Sequence, residues 1–177
     1  MLVQYQNLTI RNALPEDASV LAFWWNDGSV MAHAGFPLGL GITAEQIASS
    51  LQQDTDETRR RLILEVDSVP IGEMNYQNLM EGSAEIGIKI CVASRQNKGL
   101  GTTFLQMLIR KLFSIGYSKI VLDTNLNNHR AQHTYEKLGF RKIRIRENSW
   151  QDQLGVWQSA VDYVLLPEDF RCDLPVL

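Results

Sequence analysis

The chain predicts an α/β domain built on a mixed sheet, and three stretches carry that expectation. Leu62–Val66 and Ile71–Tyr76 read as two strands turned at Asp67-Ser68, which makes an antiparallel hairpin. The strand Ala84–Cys91 passes through a glycine turn and a long helical pattern before the next apolar strand, Lys119–Thr124, which reads as a crossover. Phe140–Arg146 and Gln158–Leu166 alternate as two closing strands. Hairpins together with a crossover give a mixed sheet rather than a purely parallel one.

The elements follow in order. Leu8-Thr-Ile-Arg11 alternates as a first strand. Pro15-Glu-Asp17 opens a helix reaching about Asn26, with proline and acids where a first turn favours them. Asp27–Ile42 is rich in glycine, carries Pro37 and predicts an irregular loop. Thr43-Ala-Glu-Gln46 has the form of a capping box, so a second helix runs to about Gln53. A polar patch, Asp54–Arg60, leads into the hairpin. From Thr102 onward Phe104, Leu105, Leu108, Ile109, Leu112 and Phe113 recur at helical spacing, with Arg110 and Lys111 opposite and Gly116 as the cap. Asn128–Leu138 is a further helix ended by Gly139, and the polar stretch Glu147–Gly155 predicts a loop between the closing strands. With no repeat, linker or low-complexity segment, residues 1–177 read as a single domain.

Composition narrows the function classes. A formal charge of −3 argues against general attraction to nucleic acid or acidic membranes. The longest apolar run, Val20–Trp25, is far too short to span a bilayer or form a signal core. Cys91 and Cys172 are isolated, with neither framework nor metal spacing, which makes a reducing cytoplasm the expected location. His129 and His133 stand at i, i+4, but read as a solvated helix face, and no metal is expected.

The richest stretch is Ile88–Phe104. The first N–H groups of a helix lack partners within it and carry the positive end of its dipole, so the turn Gln96–Thr102 is built for an anion, foreseeably a pyrophosphate. Gly99 and Gly101 let the backbone approach a ligand; Gln96, Asn97 and Lys98 add donors. Two occupants compete. A dinucleotide site needs a third glycine, where Phe104 stands, although Asp123 falls near the distance expected of a ribose-binding acid. The glycines alone leave coenzyme and dinucleotide both open, and a P-loop is excluded because no Gly-Lys-Ser/Thr follows.

Gln96-Asn-Lys-Gly99-Leu-Gly101 resembles the Gln/Arg-x-x-Gly-x-Gly/Ala motif of the GNAT superfamily of acetyl-CoA-dependent N-acetyltransferases. Asn128-His-Arg-Ala131-Gln-His-Thr-Tyr135-Glu-Lys-Leu-Gly139-Phe140 resembles that superfamily's next motif, at the expected distance. Leu8-Thr-Ile-Arg11 and Ala84-Glu-Ile-Gly-Ile88 resemble its opening strand and the strand before its cofactor turn. The tail, from Arg146-Glu-Asn-Ser-Trp150 through Tyr163-Val-Leu-Leu166, looks like the branch of ribosomal-protein N-terminal acetyltransferases, with spermidine acetyltransferases nearby.

The resemblance implies a mostly antiparallel sheet of six or seven strands flanked by about four helices, and direct transfer of acetyl from acetyl-CoA to a primary amine. It places the cofactor on Gln96, Asn97, Lys98, Gly99, Leu100, Gly101 and Thr102, with the backbone of Ile90, Cys91 and Val92 pairing with pantetheine. Asn128 caps its helix or bonds the cofactor. Asn128, Ala131, Tyr135 and Leu138 form one helical stripe, which makes Tyr135 the candidate general acid against the alternative of a core tyrosine. Glu85, eleven positions before Gln96, is the candidate base or substrate contact. Cys91 reads as a small buried hydrophobe rather than a nucleophile, since no histidine neighbours it in sequence. Acceptor contacts are expected by region only, among Trp24, Trp25, Phe36, Glu73, Tyr76 and Trp150. Lys142, Arg144 and Arg146 alternate as a basic stripe on a solvated edge. The competing readings are an acyl-CoA-binding module without turnover and a nucleotide-binding α/β domain. The sequence does not encode the oligomeric state, for which a homodimer is the general prior.

Overall fold

The computed structural model describes residues 1–175 of the chain. β1 (Leu2–Tyr5) and β2 (Leu8–Asn12) form a hairpin, and β2 pairs with β3 (Arg59–Val66). β3 turns at Asp67 and Ser68, both with positive φ, into β4 (Val69–Asn78), and β4 pairs with β5 (Ser83–Ile90). Then come β6 (Lys119–Asn125), β7 (Arg141–Gln151) and β8 (Trp157–Leu165). The described residues thus make one eight-stranded sheet in the order β1-β2-β3-β4-β5-β6-β8-β7. Every pairing is antiparallel except that of β5 with β6.

Five α-helices lie among the described residues: α1 (Ala18–Trp25), α2 (Gly28–Met31), α3 (Ala44–Leu51), α4 (Leu100–Ser114) and α5 (His129–Lys137). The expected capping box holds α3, with Thr43 and Gln46 exchanging bonds at its start. The apolar stripe of α4 packs on the sheet: Phe104, Leu105, Leu108 and Ile109 join Ala84, Ile86, Ile120, Leu122 and Tyr163 in the main core. Phe104 is fully buried there, so the position a dinucleotide fold reserves for glycine is filled by core. On the other face Ile63 meets Leu21, Trp24, Ile47 and Leu51 in a second core beneath α1 and α3. No described helix is long and apolar enough to cross a membrane.

Four sequence expectations need correction. β1 was not anticipated, and it brings the sheet to eight strands rather than six or seven. The expected loop Asp27–Ile42 contains α2, started by the Asp27 side chain accepting from the Ser29 amide, and a 3-10 turn over Ala32–Ala34. The expected loop Glu147–Gly155 is strand as far as Gln151. The basic stripe is broken by a bulge between Lys142 and Arg144. Arg144 and Arg146 both bind Asp162, whereas Lys142 approaches Glu136 and the Tyr163 ring on the opposite face.

Candidate active site

β5 and β6 stay paired only through Ser83–Lys119, Ala84–Ile120 and Glu85–Val121. Beyond Glu85 they part, and a cavity of about 640 Å³ occupies the gap. Its walls include Ile86–Ile90 of β5 and Asp123–Asn125 of β6. On the α4–α5 side it reaches the glycine turn and α5; on the other it reaches Ser29, Val30, His33, Ala34 and Trp150. The opening therefore runs through the plane of the sheet.

At the glycine turn Asn97 and Gly99 adopt left-handed backbone, at φ 59° and 78°, and Gly99 is the residue from which α4 starts. A Cβ at Gly99 would meet nothing within 4 Å, and one at Gly101 only the Ile90 side chain at 3.9 Å. Bare backbone, open space and the positive end of a 15-residue helix thus coincide. Arg130 brings a cation to the same place, its guanidinium donating to Asn97 Oδ1 at 2.7 Å. The residues present fit a pyrophosphate. Gln96, Asn97, Gly99, Gly101 and Thr102 line the cavity, while Lys98 and Leu100 stand off its wall.

The register decides which backbone groups face the gap. Cys91 N–H and Val92 N–H both donate to the Ile71 carbonyl, at 2.9 and 3.0 Å. Ile90, opposite Gly72, is therefore a non-hydrogen-bonded position, and its amide and carbonyl turn away from β4. The Ile90 carbonyl accepts from Gln96 Nε2 at 2.9 Å, which confirms that direction. Of the three backbone positions expected to meet pantetheine, only Ile90 faces the cavity. Burial, and then the neighbouring Glu73, push the Cys91 thiol up to about 12, leaving it protonated and unreactive at neutral pH.

Tyr135 is 7% exposed, its ring held 5.7 Å from both Phe140 and Tyr163. It lines the cavity, and among the described residues none hydrogen-bonds its hydroxyl. Burial, reinforced by Asp123, pushes its phenol up to about 12. Asn128 caps α5 by accepting from the Ala131 amide and also reaches Thr124 Oγ1 while lining the cavity. Glu85 lies just outside the cavity wall on the face opposite α4. Desolvation, with Asp123 close by, raises its carboxyl above the usual range, although Arg146 opposes the shift.

The expected acceptor contacts divide sharply. Trp150 lines the cavity, whereas Trp24 and Tyr76 are core residues. Trp25 Nε1 donates to the buried Glu73 at 2.8 Å, and Lys89 Nζ reaches the same oxygen at 3.1 Å. Phe36 is not on the wall. Sequence reasoning missed His33, Asn125 and the acceptor-side placement of Asp123. Asp123 pairs with Arg146 on the face away from α4, so it does not serve a ribose at the glycine turn. His129 and His133 are exposed, and no metal-binding cluster occurs among the described residues.

A mixed sheet opened beside a glycine turn, with a phenol at the opening, is the frame in which the comparisons with known proteins are set. Residues 7–141 match the acetyltransferase (GNAT) domain, and the chain belongs to that family of N-acetyltransferases. Solved structures share the fold. A spermidine N-acetyltransferase from Vibrio cholerae, in complex with CoA and spermine, is 22% identical, with a TM-score of 0.82 over 92% of this chain and 97% of that one. A ribosomal-protein-S5-alanine acetyltransferase from Vibrio fischeri is 16% identical, with a TM-score of 0.80 over 97% of this chain and 100% of that one. An uncharacterized protein of Methanocaldococcus jannaschii is 33% identical over 81 residues, which span 45% of this chain and 17% of that protein.

Proposed function

We propose that the protein transfers acetyl from acetyl-CoA directly to a primary amine held on the α1–α2 side of the opened sheet. The observation that carries this is the single cavity joining the anion turn, Tyr135 and the opposite face. Acetyl-CoA, when bound, supplies an activated thioester. The α4 N-terminus, with Gly99, Gly101 and Arg130, holds the pyrophosphate. The Ile90 amide, turned into the cavity, donates to the acyl oxygen, where developing negative charge strengthens the bond.

A substrate ammonium ordinarily titrates near ~10.4, so a proton must leave before the nitrogen can attack. Glu85 takes it, directly or through water, and its raised carboxyl brings its proton affinity closer to that task. Tyr135 stays protonated and hydrogen-bonds the departing sulfur, which leaves as the thiolate and takes up the second proton that the acylated nitrogen sheds. Asn128 keeps α5, and with it Tyr135, in register. Catalysis then needs no metal; the acceptor is the amine of a protein N-terminus, a polyamine or a small molecule, and the setting is the cytoplasm.

Release of free thiol from acetyl-CoA across a panel of amines tests the proposal. Tight acetyl-CoA binding with no amine turned over would sink it.

A further inference from the structure

The tip of the β7–β8 hairpin and the segment that carries α2 are distant in sequence but meet at one side chain. Gln153 donates its main-chain N–H to the Gly35 carbonyl at 2.9 Å. Its Oε1 accepts from the Leu38 amide at 2.9 Å, and its Nε2 donates to the Gly39 carbonyl at 2.9 Å. Three bonds from one residue thus span the five positions Gly35–Gly39 of the segment. Trp150, on the same hairpin, closes the contact: a Cβ on Gly35 would lie 2.4 Å from its indole ring. The other end of the segment is held by Asn26, whose amide exchanges two bonds with Ile42, and by the Leu40 amide on the Trp25 carbonyl.

This tie fixes one wall of the cavity. Between the anchors lie α2 and the 3-10 turn Ala32–Ala34, which packs against β6 and puts His33 and Ala34 on the cavity surface, with Trp150 also on that surface. The bonds themselves are at the surface or only partly buried, so they complete neither the sheet nor either core. Their consequence is the spacing between the hairpin and the turn. Asn26–Ile42 and Trp25–Leu40 already hold the segment to the end of α1; the Gln153 bonds are what tie its residues 35–39 to the hairpin.

We propose that Gln153 is a positioning residue that sets the width of the acceptor side and so selects which amines react. The inference rests on the amine-acetylation reading above. A rigid wall discriminates by bulk beside the reacting nitrogen, because a fixed pocket separates substrates differing by one methylene by about 10–200-fold, whereas a wall that can yield does not. A wall held at one spacing between Trp150 and the His33–Ala34 turn therefore favours the narrower of two amines that differ only in bulk beside the nitrogen.

The experiment compares kcat/KM for a matched unbranched and α-branched primary amine in the wild type, Gln153→Ala and Gln153→Glu. Gln153→Ala is expected to cut the unbranched-to-branched ratio about tenfold, through the branched amine's KM, with the KM for acetyl-CoA unchanged. Gln153→Glu keeps an acceptor for the Leu38 amide but sets an oxygen against the Gly39 carbonyl, so it is expected to lower the ratio as Gln153→Ala does. If Gln153→Ala does not fold, Trp150→Phe, which thins the same wall, carries the test with the same expected direction. A ratio unmoved in a folded, active variant overturns the role of Gln153 alone. A wild type that acetylates no amine overturns the amine reading and this wall with it.

Discussion

Replacing Tyr135 by Phe removes one oxygen and leaves the ring between Phe140 and Tyr163, each 5.7 Å away. Since no described residue bonds that hydroxyl, its loss orphans nothing, and stability should change by less than about 0.5 kcal/mol. The effect on rate follows from proton affinity. A phenol pushed up to about 12 is protonated in nearly all molecules at pH 8, so the donor is always present. A simple thiol titrates near ~8.5, which makes complete transfer of the phenol proton to sulfur uphill by about 5 kcal/mol. In the proposed mechanism Tyr135 therefore serves mainly as a hydrogen-bond donor to developing charge, a role worth about 1.5–3 kcal/mol, or about a 10–150-fold fall in kcat for Tyr135→Phe. Steady-state kinetics, with acetyl-CoA affinity measured by calorimetry, decide the matter. An unchanged kcat, or a fall matched by an equal loss of acetyl-CoA affinity, refutes the assignment.

Three further outcomes are expected. Gly99→Ala meets no atom within 4 Å but must hold φ 78°, so it should fold with a loss of about 1–2 kcal/mol and bind acetyl-CoA at least about tenfold more weakly by calorimetry; unchanged affinity would remove the anion turn from the site. Glu85 carries a carboxyl raised in the folded state, so the native protein holds that proton to higher pH than the unfolded chain does, and ionising it at neutral pH opposes folding. Glu85→Gln should therefore raise Tm at pH 7, with the gain closing below about pH 4.3, while slowing amine acetylation; a spectator on the surface would move neither. Asp17 and Asp54 are opposite in sign: burial pushes both up, but Arg11 and the Leu14 amide on Asp17, and Arg61 on Asp54, more than reverse it. Their contribution is whole above about pH 4 and is lost as pH falls through their lowered values, so Asp17→Asn should destabilise strongly at pH 7 and progressively less as pH falls below about 4, by thermal melting.

What could be read from sequence was what neighbouring residues decide. The strand, glycine turn and helix of Ala84–Ser114 are specified by apolar period and by residues that tolerate left-handed backbone, and they appear where expected. The stripe Asn128–Leu138 likewise brought Tyr135 and Asn128 to one wall. β1 was missed because four residues alternate too briefly and its turn uses Gln6 at φ 52°, a position more often glycine or asparagine. α2 is one turn long and has no period to detect. β7 past Arg146 was lost because its register shifts there and Asn148 takes positive φ, so alternation fails within a continuous strand. Asp123 shows a different limit of spacing. Its spacing from the glycines suited a ribose, but its direction is set by pairing with Asp162 on β8, a partner no local pattern encodes.

The position of the site follows from one departure in an otherwise antiparallel sheet. β5 and β6 are parallel, so the chain must cross between them, and it does so through α4. That crossover starts at the C-terminal end of β5, which puts the helix N-terminus, and its anion site, beside the end of the strand. The same two strands part after three pairs, while β4 continues alongside β5 to Gly72–Ile90. β5 thus offers its free backbone edge at the place where α4 offers its dipole. A CoA-like ligand needs both, one for its pyrophosphate and one for its thioester arm. Extending the β5–β6 pairing by even two residues would close the opening at Gly87 and Asp123 and separate Tyr135 from the acceptor face. The splay, rather than any single side chain, is what joins donor and acceptor.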